Sequence, residues 1–89
     1  MFHIINGGRN KKTGGHNAFF SCGNPKKFFY AVLSTLPDHS IEILIFKADQ
    51  HGNVTDWAEP LYTAYPPQVS HDELLKHIDL FAEGVTFFE

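Results

Sequence analysis

The 89 residues are 43% apolar and 15% aromatic, nine of them Phe, which is too hydrophobic for a disordered chain and enough for one core. A chain of this size buries roughly 60–65% of its unfolded surface, so a single domain spanning 1–89 is expected, with little material for a deep substrate cavity. The net charge of −3 hides an asymmetry: five cations and no acid precede Asp38, whereas two cations and ten acids follow from there on.

Residues 2–5 (FHII) are short and apolar and read as a strand. Residues 6–16 (NGGRNKKTGGH) hold four glycines, three cations and no large apolar side chain. They read as a long connecting loop, of a length that often carries function. It is not a nucleotide-binding phosphate loop, because Asn6 and Lys11 stand where that motif needs glycine. Residues 17–22 (NAFFSC) form a second strand, with Ala18, Phe20 and Cys22 on one face and Asn17, Phe19 and Ser21 on the other.

Asn24-Pro25 is a helix-start signature. Phe28, Phe29, Val32, Leu33 and Leu36 then recur at spacings of three and four, which predicts a helix over 25–36 that Pro37 ends. Residues 41–47 (IEILIFK) are the clearest strand, apolar on both faces and expected inside the sheet. Residues 49–53 supply hairpin-turn chemistry. A return strand is expected over 57–65, at an edge or bulged, because Pro60 lacks an amide hydrogen.

Ser70 and Glu73 make a capping box. Leu74, Leu75, Ile78, Phe81 and Ala82 form the buried stripe of a helix expected to stop before Gly84. Residues 85–88 are read as a final strand.

The expected fold is therefore α+β: an antiparallel sheet of four to five strands with two helices on one face, in the order ββαββα(β). A ferredoxin-like βαββαβ fold is the alternative. It would put the proline-bearing strand in the centre of the sheet, where a missing amide is costly.

The apolar run within 41–46 is broken by Glu42, and the longest unbroken one, 28–33 (FFYAVL), has six residues, far short of the about 20 residues of a membrane span. No basic leader with an apolar core opens the chain. The single cysteine, Cys22, has no internal disulfide partner, so a reducing, cytoplasmic setting is expected. No cofactor motif is present. Six histidines raise the question of a metal, but their spacings give no chelating pair, and no metal site is expected. Cys22 activated by His16 is a conceivable nucleophile, yet Cys22 shares a face with Ala18 and Phe20 and reads as core.

The expectation is a small non-enzymatic protein, an interaction partner or inhibitor that occupies a surface on a larger protein. The residues expected to carry the contact are Trp57, Tyr62 and Tyr65 beside the edge strand, with Asp72, Asp79, Leu80 and Glu83 on the last helix. The alternative is nucleic-acid or phosphate binding through Arg9, Lys11, Lys12 and His16, joined by Lys26 and Lys27 at a helix N-terminus. A homodimer is compatible with an exposed edge strand.

Overall fold

The chain opens with two antiparallel strands, β1 (Phe2–Arg9) and β2 (His16–Cys22). The computed structural model describes residues 2–9, 15–23 and 25–85, with the side chains of Arg9 and Val85 outside that description. Residues 6–9, expected in a loop, extend β1 instead. Gly7 makes this possible: a β-carbon there would lie 2.9 Å from the Asn17 carbonyl oxygen, so the strands approach where only glycine fits. The register slips between Ile4 and Asn6, and the bulge leaves Ile5 exposed on an edge strand. Bulges of this kind blunt edge pairing.

The main departure from the sequence reading comes next. β3 (Lys27–Thr35) is a strand, not the expected helix over 25–36. Phe, Tyr, Val and Thr lose side-chain freedom in a helix and suit a pleated surface. Phe29, Ala31 and Leu33 alternate into the core, and this period of two prevails over the coincident spacing of three and four. Pro25 and Lys26 instead form a turn into β3, a role Pro also serves, and Asn24 lies outside the described residues.

β4 (Ile41–Ala48) lies inside the sheet as expected, paired with β3 on one side. Asp49 organises the following turn, its Oδ1 accepting hydrogen bonds from the amides of His51 (2.8 Å) and Asn53 (3.0 Å). The chain touches the β4 edge at Val54, leaves it, and returns as the three-residue β5 (Tyr62–Ala64). The excursion around Pro60 is the irregular edge that proline demands.

The strand order is β1-β2-β3-β4-β5, an antiparallel meander of five strands. That order excludes the ferredoxin-like alternative, which needs a helix between its first two strands. Among the described residues there is one helix, α1 (His71–Val85), not two. The Ser70 half of the expected capping box forms, the Glu73 amide donating to Ser70 Oγ at 3.1 Å. It runs through Gly84, beyond the expected stop. Of the expected final strand, Val85 belongs to the helix and residues 86–88 lie outside the described residues.

Leu74, Ile78 and Ala82, one turn apart, pack on Ala18, Phe20, Ala31, Leu33, Ile43 and Ile45. Ala18 and Ala31 are paired across β2 and β3, and their small side chains leave room for the helix. Phe81 closes one end of the core, its ring edge-on to Phe29 at 4.9 Å and to Phe20 at 6.1 Å. Among the described residues no helix is long and apolar enough to cross a membrane.

Candidate protein-binding face

One helix cannot cover both faces of a sheet, and the face opposite α1 is built differently. An antiparallel sheet with one solvated face ordinarily turns polar residues outward. Here the outward positions of β2, β3 and β4 include Phe19, Phe28, Tyr30, Val32, Leu44 and Phe46. Apart from Phe46, all of these keep part of their surface in solvent. Phe19 and Phe28 stack at 5.9 Å between centroids.

The excursion between Val54 and β5 folds over part of this face. Trp57 lies against Phe46 at 4.9 Å and edge-on to Tyr30 at 6.3 Å. It shields Phe46, yet 62% of Trp57 itself remains exposed. Gly52 passes over Phe19, with φ at 87°, in the region that glycine tolerates.

Beside Tyr30 the face is indented. Gly7 and Gly8 of β1 present no side chain, and a hollow of about 220 Å³ opens between them, Phe19 and Tyr30. Its polar contact is fixed, with Asn17 Nδ2 donating to Tyr30 Oη at 3.0 Å. The strand residues described on this face include no lysine or arginine, and Glu42 is their one carboxylate. An aromatic ridge beside a hollow, with charge kept to the margin, is what the centre of a protein interface needs.

The residues expected to make the partner surface do not form one site. Trp57 belongs to the helix-free face, whereas Asp72, Asp79, Leu80 and Glu83 lie on α1, across the sheet from it. Leu80 is 49% exposed and Tyr65 68% exposed. Tyr62 turns inward. Its hydroxyl lies 2.7 Å from His77 Nδ1, and its ring meets Phe81 at 5.9 Å. His77 Nε2 in turn lies 3.8 Å from Glu73 Oε2. With its proton on Nε2, His77 accepts from Tyr62 and ties the short β5 to α1. Burial pushes the Tyr62 phenol above its ordinary pKa. The carboxylate of Glu73, expected to turn back to the Ser70 amide in the capping box, is drawn towards His77 instead.

The cationic residues also part company. Lys26 and Lys27 stand at the turn into β3, not at a helix N-terminus, so the dipole expected there does not exist. Arg9 and His16 close the opposite end of β2, about 20 Å away at roughly 3.3–3.4 Å per residue. Lys11 and Lys12 lie outside the described residues. The ring of His16 lies 6.2 Å from that of His71 on the helix. His16 and Cys22 occupy opposite ends of β2, so no Cys–His pair forms. Cys22 is buried, and burial, against the opposing charge of Lys27, raises its thiol pKa. Among the described residues no three metal-ligating side chains come together.

Sequence reasoning named Trp57 and missed Phe19, Tyr30 and the glycine hollow. Phe19 had been separable, since the alternation in 17–22 put it opposite the core. Tyr30 was hidden inside the expected helix. No protein-family model, curated protein or solved structure matches this chain.

Proposed function

We propose that this protein is a non-enzymatic binding module that docks on a larger protein through the helix-free face of its sheet. The observation that carries the reading is Trp57, 62% exposed on top of a face whose strands carry aromatic and aliphatic side chains. A large apolar surface of this kind, unshared with any helix, marks an interaction site more often than an ordinary solvated face. Trp57 is the projecting anchor, and the hollow beside Gly7, Gly8 and Tyr30 accepts a side chain from the partner.

Charge defines the partner further. Glu42 on the sheet, with Asp56 and Glu59 flanking Trp57 in sequence, favours a protein surface with an apolar centre and a basic rim. The same pattern disfavours a polyanion on this face, since nucleic-acid contact rests on lysine and arginine.

The test is affinity capture on three immobilised forms: wild type, Trp57→Ala, and Asp79→Lys/Glu83→Lys. A protein retained by wild type and by the helix variant, but lost with Trp57→Ala, supports the reading. Loss with the helix variant and retention by Trp57→Ala would move the surface to α1 and overturn it.

A further inference from the structure

The other side of the sheet holds a second kind of site. Where the later part of α1 passes the adjoining ends of β3 and β4, a pocket of about 540 Å³ opens. Small-molecule sites commonly fall in the range of roughly 300–1,000 Å³. Its walls include Phe29, Leu61, Ala48 and Phe81, with Phe81 edge-on to Phe29.

Two cations stand in this apolar setting, Lys27 and Lys47. They are twenty residues apart in sequence, and strand register unites them. Lys47 pairs with Phe29, and Lys27 lies two residues earlier on the same face of β3. The two are diagonal neighbours, their Cα atoms about 7–8 Å apart in such an arrangement. Among the described residues that line the pocket there is no acid. Hydrocarbon walls with a pair of ammonium groups suit a molecule with one apolar end and one anionic end.

We propose that this pocket binds an amphipathic carboxylate, its hydrocarbon chain against Phe29, Phe81 and Leu61 and its carboxylate between Lys27 and Lys47. Each ammonium offers charge-assisted hydrogen bonds to the head, and the aromatic walls take the chain out of water. Phe28 and Ala48, which also line the pocket, belong by register to the helix-free face, but Trp57, Tyr30 and the glycine hollow do not line it, so either reading can fail alone.

The probe is decanoate, with decan-1-ol and decyltrimethylammonium as controls, titrated calorimetrically below aggregation. Decanoate is expected to bind one to one, with the alcohol about tenfold weaker and the cation silent. Lys27→Ala/Lys47→Ala should weaken decanoate about tenfold. Leu61 is 54% exposed, so Leu61→Glu should keep the fold, checked by amide NMR, and repel the carboxylate from the mouth. Equal binding of alcohol and carboxylate would overturn the proposal, as would indifference to the lysine and Leu61 variants. Absence of decanoate binding to the wild-type chain would equally overturn it.

Discussion

Phe19 and Phe20 are neighbours in sequence and occupy opposite worlds. Phe20 points under α1, has no exposed surface, and meets Phe2, Phe29 and Phe81. Phe19 points to the helix-free face, stacks on Phe28, and lies under Gly52. One face of the sheet is closed by a helix whose stripe fits it, and the other is apolar without a full cover. Stability resides mainly in the first face. Among the described residues, the second keeps part of its apolar surface in solvent.

The sharpest test of that division is the pair of truncations. Phe20→Ala removes a fully buried ring and should cost about 3–5 kcal/mol, a large share of a small domain's total. Phe19→Ala should cost about half of that or less, because its ring never fully left water. Urea unfolding of both variants reads the difference. Equal losses would mean that the helix-free face is packed as tightly as the core.

Gly52→Ala sharpens the boundary between cover and face. A side chain at φ 87° is strained, and its β-carbon would sit 3.4 Å from the Phe19 ring. A loss of about 1–2 kcal/mol is expected, with NMR shifts concentrated at Phe19 and its neighbours. A loss without those shifts would break the link between the turn and the face.

Smaller again is Tyr62→Phe, which removes one hydrogen bond to His77 and should cost about 1 kcal/mol. Its pH dependence is more telling. Because burial raises the Tyr62 pKa in the folded state, its contribution is complete below the ordinary phenol value of about 10. It is lost as pH rises through the raised folded value. Alkaline unfolding should therefore be less steep in Tyr62→Phe than in wild type, and equal steepness would show Tyr62 solvated.

The same contrast explains what could be read in the sequence. Where one face is apolar and the other polar, pattern and structure agree: α1 sets Leu74, Ile78 and Ala82 in the core with Phe81 packed against it, Leu75 staying only partly buried, and β2 kept its alternation. β4 was legible from its β-branched run, and the irregular edge from Pro60. β3 was not, because Phe28, Tyr30 and Val32 fill the helix-free face while Phe29, Ala31 and Leu33 fill the core. With both faces apolar, a period of two disappears and a helical spacing can be drawn through the same residues. The aromatic face that makes the candidate site is thus the feature that concealed its strand. Lys26 and Lys27 carried a warning, since cations are unfavourable in the first turn of a helix. The union of Lys27 with Lys47, and the hollow at Gly7 and Gly8, arise from register, which no single segment encodes.

Trp57 is the only tryptophan in the chain and reports directly on the helix-free face. Its fluorescence should be readily quenched by acrylamide in the isolated protein, as an indole 62% exposed must be. With a captured partner lacking tryptophan added to saturation, docking through this face predicts a blue shift and loss of most of that quenching. A saturated complex in which Trp57 stays as quenchable as before would contradict the central claim.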